Sequence, residues 1–437
     1  MLPCWPCGLK WVRTSQLKIL LSPVRCCSLR TMAIAEANRV STQTAHDERP
    51  GLAVIANVVP PYRRNLHKLL AEGIPEVKLH TLITHGPAEF EWDLTLPESI
   101  HATYYGAPED SPLAGSFHRP LYEWRKGGRL IEYLQANNVR AVILFGYRYL
   151  SYLRVIRYCR RAGLPVFVHN DSNVHGDRSL SAWKRLWKSL VYRWWLSKVS
   201  GVMSMGEYGD EFFLRYGADR RLLYRVPWPV DSDFHAHVNE DRLQRFRQKF
   251  RLPSSRRYIL YSGRLVPVKR VDLLIDAFVD IAAKRPEWDL LIVGEGVLGD
   301  ELRRRVPESI RPRVVWTGFL DGEEPALAYG VADVLVLPSD YEPWALVVQE
   351  AMAAGLVVVA SHVVGAAREI IEDGHSGCIF PAGKNNELGQ AILKATAADT
   401  IDAFKERSLD ALVRWKSTVD PVREVRRALS DCGMLLR

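Results

Sequence analysis

From Gly51 onward, short apolar runs alternate with stretches whose apolar residues recur every three to four positions. The first pattern marks a buried strand and the second a helix with one face on a core. Strands are expected at Ala53–Val59, Val77–Thr84, Ala102–Gly106, Ala141–Gly146, Pro165–His169 and Gly201–Met205. Helices are expected at Tyr62–Glu72, Leu121–Ala136, Tyr149–Ala162 and Ser181–Lys198. Leu222–Val230 closes this half, and Asp231 to Pro253 reads as a link. The alternation then restarts with strands at Tyr258–Ser262, Leu290–Val293, Val314–Thr317, Val334–Leu337, Val357–Ser361 and Cys378–Phe380. Helices interleave at Val271–Ala283, Leu298–Arg305, Asn385–Ala398 and Thr400–Lys416, with a short one around Glu369. Asp420-Pro421 is a capped start for a last helix. Repeated strand–helix units of this length form an α/β fold of doubly wound parallel sheets, which bind ligands at the carboxyl ends of their strands.

At 437 residues the chain exceeds one ordinary core, so two domains are expected. The boundaries are 51–235 and 254–418, with a closing segment at 419–437. No run of eighteen apolar residues occurs, so no spanning helix is expected. A net charge of +9 leaves a basic surface open to anionic partners. Residues 1–50 stand apart: Lys10, Arg13, Lys18, Arg25 and Arg30 precede the first acid, Glu36. They read as a disordered basic tail, a transit-like segment, or the product of a start placed too early. Four of the seven cysteines fall there, at 4, 7, 26 and 27. Their spacing does not match a zinc ribbon, and the remainder read as reduced thiols of a cytosolic protein.

Leu337 to Gly355 carries the densest chemistry: a strand stopped by Pro338, then a turn and a helix ended by Gly355. Pro343 is expected at the first helical position, leaving the N–H groups of Trp344, Ala345 and Leu346 free for a phosphate. Glu342 and Glu350 bracket this helix start. As acceptors they suit sugar hydroxyls, and Glu350 is the lone acid in an apolar helix. The segment E-P-W-A-L-V-V-Q-E-A-M-A-A-G resembles the E-x7-E signature of retaining family 4 glycosyltransferases, with Ala345 where the family has Gly.

Gly263-Arg264-Leu265 with Lys269 and Asp272 is similar to the same family's G-R-L-x-x-x-K-G-x-D motif. Arg264 and Lys269 at a strand's carboxyl end suit a diphosphate leaving group, which two fixed cations can neutralise as a metal does elsewhere. Gly294 and Gly296 resemble the family's V-G-x-G turn beside the nucleotide, and Gly318-Phe319 the segment that contacts its base. Gly365 to Glu369 stands where the family has G-G-x-x-E, with Ala366 as the second residue. The resemblance implies the two-domain GT-B fold, with the closing helix crossing back onto the first domain. It also implies that Glu342 holds the transferred sugar and Glu350 the ribose. Asp340-Tyr341-Glu342 is read as direct sugar contact rather than a metal clamp, and neither metal nor cofactor is expected.

In the first half, Pro60-Pro61-Tyr62-Arg63 replaces the family's Gly-Gly loop, and Arg63 is a candidate for phosphate or acceptor. His169 and Asp171 end one strand and are candidate catalytic groups, while Tyr147 and Arg148 end a neighbouring one and face an acceptor. Trp183, Leu186, Trp187, Leu190 and Trp194 form one stripe of the Ser181–Lys198 helix, with Lys184, Arg185 and Lys188 away from it. That helix either covers the sheet or lies on an anionic membrane. The reading is a transferase moving a sugar from a nucleoside-diphosphate sugar to a glycan or lipid-linked acceptor, in envelope or exopolysaccharide synthesis. It would be cytoplasmic, peripheral on the inner face of the plasma membrane, with no nucleic acid as partner. A nucleotide-sugar epimerase on the same fold and a non-catalytic basic binding protein are the alternatives.

Overall fold

The computed structural model describes residues 48–85, 96–106, 119–177, 180–230 and 238–436. The expectations for the basic N-terminal region and its four cysteines, and for positions 231–237 of the link, lie outside them. The first half is a seven-stranded sheet in the order β3-β2-β1-β4-β5-β6-β7. Its strands are β1 (Gly51–Ala56), β2 (Lys78–Ile83), β3 (Ala102–Tyr104), β4 (Val139–Phe145), β5 (Val166–His169), β6 (Gly201–Ser204) and β7 (Leu223–Arg225). The second half is a six-stranded sheet, β10-β9-β8-β11-β12-β13. These strands are β8 (Arg257–Ser262), β9 (Trp288–Val293), β10 (Val314–Gly318), β11 (Val334–Leu337), β12 (Val357–Ser361) and β13 (Gly377–Phe380). Every pairing is parallel. Both orders reverse direction beside the first strand of the half, which opens a crevice at the carboxyl ends.

The first half carries helices α1 (Pro61–Gly73), α2 (Pro120–Ala136), α3 (Leu150–Ala162), α4 (Ala182–Leu196) and α5 (Glu207–Arg215). In the stretch expected to be a plain link, α6 (Glu240–Phe250) forms instead. Asn239 caps it by accepting from the Arg242 N–H at 3.1 Å, and Phe246 is buried. The second half adds α7 (Val271–Ile281), α8 (Gly299–Arg305), α9 (Glu324–Val331), α10 (Leu346–Ala353), α11 (Gly365–Ile370), α12 (Asn385–Ala395) and α13 (Ile401–Thr418).

The closing helix α14 (Pro421–Asp431) begins as its capping pair predicts, with Asp420 accepting from the Val422 N–H at 2.8 Å. It does return to the first half. Val425, Ala428 and Leu429 are fully buried, Arg426 meets Glu76 at 2.6 Å, and Arg427 donates to the Leu223 carbonyl.

Helix α4 does not cover the sheet with its tryptophan stripe. Trp195 and Leu196 are the residues it buries, with Tyr192 beside them. The stripe from Trp183 to Trp194 faces outward. Lys188 turns inward to Asp177 at 2.5 Å, within about 5 Å of the Tyr192, Phe212 and Tyr216 rings.

Candidate active site

The turn between β11 and α10 differs from the sequence expectation. Helix α10 starts at Leu346, so Pro343 and Trp344 precede it and Ala345 is its cap, with φ at 73°. Left-handed backbone costs a residue with a Cβ about 1–2 kcal/mol. Two contacts hold it there. Trp344 is buried, its ring 5.9 Å from that of Trp415, and Gly365 and Ala366 donate N–H bonds to the carbonyls of Glu342 and Trp344. A Cβ at Gly365 would lie 2.3 Å from the Pro343 carbonyl, so only glycine fits under this turn. The helix-start donors are therefore the N–H groups of Leu346 and Val347, while Val348 is bonded to Ala345.

Lys269, on the 3-10 turn after β8, is ion-paired with Glu342. Both are only partly buried, as groups lining a cleft would be. Arg264 is exposed and makes no ion pair among the described residues. Arg270 occupies a left-handed position, φ 51°, where the resembling motif has glycine. Its guanidinium reaches Asp272 and Asp340, each at 3.1 Å. Asp340 is thus held by one cation and Glu342 by another.

Gly263, Gly294 and Gly296 let two loops at the site approach closely. A Cβ at Gly294 would sit 2.0 Å from the Gly263 carbonyl, and one at Gly296 2.3 Å from that of Leu265. The glycines let the loops after β8 and β9 press backbone to backbone, tied by Leu265 N–H to Glu295 carbonyl at 2.8 Å. Gly318 ends β10, accepts from the Gly294 N–H at 2.8 Å, and leaves the Phe319 ring 55% exposed at that rim.

Glu350 lies one helical turn into α10. Burial pushes its carboxyl up to about 7, opposed by a bond from the Tyr329 hydroxyl at 2.8 Å. Its neighbour Gln349 is buried and donates to the Trp228 carbonyl at 3.1 Å, so the same helix grips the end of the first half.

From the first half, the loop after β5 reaches this turn. Asn173 donates to the Glu342 carbonyl at 3.2 Å, and a Cβ at Gly176 would meet the Tyr341 hydroxyl at 3.0 Å. Asp171 is exposed; burial raises the phenols of both Tyr62 and Tyr341, and the Asp171 charge adds to that rise. Arg148 is exposed at the end of β4. Tyr147 beside it is drawn away from an acceptor role: its hydroxyl bonds Tyr192 and its ring packs on Trp195 at 5.0 Å.

Arg63 donates to Asn57 at 2.6 Å and to the Val58 carbonyl at 2.9 Å, with its guanidinium 5.3 Å from the Trp228 ring and no carboxylate partner among the described residues. His169 is 1% exposed, covered by Trp228 at 4.4 Å, and bonded through Nε2 to the Val226 carbonyl at 2.6 Å. Burial lowers it to about 4, so it is neutral and its ring is a structural strut in this conformation.

Sequence reading named Glu369 as part of a family-like segment but did not foresee the contacts that join the halves. Glu369 accepts from the Glu207 N–H at the start of α5, with Arg225 at 3.8 Å, and burial raises its carboxyl. Tyr208 donates to the His362 carbonyl at 2.8 Å. No local spacing announces such contacts, because their partners lie 154 and 162 residues apart.

Comparison with known proteins agrees with this architecture. Residues 243–407 match the family model for glycosyl transferases group 1. An alpha-D-kanosaminyltransferase of Streptomyces kanamyceticus is 28% identical, over 76% of this chain and 88% of its own. A GDP-mannose-dependent alpha-mannosyltransferase of Mycolicibacterium smegmatis is 32% identical over 41% of this chain and 49% of its own. Among solved structures, Anabaena HepE in complex with UDP and glucose superposes with a TM-score of 0.66 at 18% identity, covering 88% of this chain and all of that one. Sucrose-phosphate synthase of Thermosynechococcus elongatus gives 0.68 at 19%, over 88% of this chain and all of its own. The last two likenesses are of fold.

Proposed function

We propose that this chain, a GT-B glycosyltransferase whose residues 243–407 form a group 1 glycosyl transferase domain, moves a sugar from a nucleoside-diphosphate sugar to an acceptor hydroxyl with retention. The observation that carries the reading is the convergence of Lys269, Glu342 and the start of α10 at one rim, with Glu350 set behind them. A diphosphate there meets two helix N–H groups and the cations Lys269 and Arg264, which stabilise charge as it grows on the leaving group. Glu342 exchanges its ion pair for the hydroxyls of the transferred sugar. Glu350 accepts from the ribose, and the exposed Phe319 lies against the base. The glycines at 263, 294 and 296 shape these loops, and Gly318, Pro343, Trp344, Ala345 and Leu346 set the donor-side backbone. The acceptor enters over Asp171 and Arg148, with Arg63 drawing an anionic group.

Proteins similar to this chain bear names that include mannosyl and kanosaminyl transfer, and the HepE structure holds UDP and glucose. That range favours a sugar nucleotide here without choosing its base. The role assigned is glycan synthesis for the cell envelope or an exopolysaccharide, on the cytoplasmic side. A thermal-shift screen of UDP-, GDP- and ADP-sugars identifies the donor. Turnover with a glycan acceptor must then release nucleoside diphosphate in proportion to product, with the donor's anomeric configuration kept. Interconversion of the donor sugar without release of diphosphate indicates an epimerase, and absence of any donor binding leaves a non-catalytic binding protein.

A further inference from the structure

Helix α4 is turned inside out. Trp183, Leu186, Trp187, Leu190 and Trp194 each keep 52–65% of their surface exposed. The polar Lys188 takes the inward position, neutralised by the buried Asp177. A helix built only to cover the sheet would bury the tryptophans and expose the lysine. The outward stripe amounts to an apolar patch on the order of 500 Å², at the upper end of what monomers leave bare. No acid occurs between Asp177 and Glu207, while Lys184, Arg185, Arg193 and Lys198 lie among or beside the tryptophans.

A second small patch shares the same side. Leu121 and Trp124 of α2 are exposed, with the Arg154 guanidinium 5.1 Å from the Trp124 ring. Helices α2, α3 and α4 bury their other faces in one core, through Leu130, Tyr152 and Trp195 among others, so all three lie on the same face of the first sheet. Each of α2 and α4 runs back to the amino end of the parallel strand that follows it, β4 and β6, so their first turns lie on the carboxyl-end side of the sheet.

We infer that this face, with α4 as its centre, docks on an anionic lipid surface. Tryptophans that are apolar in body and polar at one tip, flanked by cations, match the headgroup boundary, where the stripe sinks in and the cations meet lipid phosphates. A second copy of the chain is a poorer occupant, because a shared patch would set Lys184 and Arg185 against the same cations of its mate. Docked this way, the acceptor side of the cleft faces the bilayer. The inference stands apart from sugar transfer, since binding requires no turnover.

The test is sedimentation of the full chain with vesicles of phosphatidylcholine containing one-third phosphatidylglycerol, against phosphatidylcholine alone. Wild type is expected to bind the anionic vesicles and to release as salt is raised. The double variant Trp183→Ser/Trp187→Ser is expected to lose binding without a change in melting temperature, because both side chains are exposed. Lys184→Gln/Arg185→Gln should weaken it about fivefold per charge. Failure of the wild type to bind at low salt, equal binding to both vesicles, or full binding by the tryptophan variant overturns the inference. So does a dimeric mass in light scattering that falls to the monomer in the tryptophan variant, which would make a second copy the occupant.

Discussion

Replacing Glu350 by Gln separates its two roles, as a buried acid and as a nucleotide ligand. Its carboxyl is raised from the ordinary value to about 7 in the fold, chiefly by burial. The folded protein therefore holds this proton where the unfolded chain has lost it. The contribution to stability is full below the unfolded value near 4.5 and is lost as pH rises through about 7. The shift corresponds to about 3 kcal/mol at most, reduced in practice because Glu350, though largely buried, keeps part of its surface exposed. His169, lowered to about 4, and His67, lowered to about 3, act in the opposite sense, losing stability as pH falls. The informative quantity is thus the difference between wild type and Glu350→Gln in urea denaturation from pH 5 to pH 8.5. The variant should match wild type near pH 5 and exceed it by about 1–3 kcal/mol near pH 8. Ribose hydroxyls donate, so they favour the carboxylate. Wild-type nucleotide affinity should rise with pH up to about 7 and then level off, with a proton released on binding. In the variant that slope disappears and affinity falls about tenfold to a hundredfold. A variant that follows the wild-type stability curve and binds nucleotide as well refutes both the burial and the ligand assignment.

Three further outcomes are expected. Lys269→Ala and Arg264→Ala should each lower kcat by about a hundredfold with a smaller change in donor affinity; equal losses in both would assign them to ground-state binding. Ala345→Gly should stabilise by about 0.5–1 kcal/mol, since relief of left-handed strain exceeds the entropy of the added glycine, and a loss above about 1 kcal/mol in chemical denaturation would contradict the backbone assigned to it. Turnover should survive EDTA, because the cations and the α10 start replace a divalent ion; activity restored only by magnesium or manganese would return Asp340 to consideration.

Most of the parallel strands were legible because apolar residues dominate them, and their limits fall within a few residues of expectation. Val357–Ser361 coincides in both. Less legible were α5, α6 and α9, short helices whose patterns compete with flanking polar or small residues. The E-x7-E spacing located the site but misplaced the helix start, because Pro343 fits a first helical turn locally while burial of Trp344 and the close approach of Gly365 decide the turn. Spacing identified Lys269 and Glu342 separately, and only the fold showed them paired. His169 sat at a strand end as expected, yet its burial depends on Trp228, a residue 59 positions on that no local pattern links to it. The α4 stripe shows the limit most plainly: amphipathic period gives two faces, and the buried Asp177 determined which one turns inward.

The return of α14 to the first half sets the order in which a new chain can finish folding. The apolar side of α1 is closed by Val425, Ala428 and Leu429, and Tyr224 at β7 awaits Asp431 at 3.2 Å. Roughly 200 residues separate β7 from α14. At ribosomal speeds of about 5–20 residues per second, the first sheet waits on the order of 10–40 s without the helix that packs on α1 and β7. During that interval the nascent chain is a client for chaperones, and a ribosome stalled before position 421 leaves a product whose first half is made but not sealed.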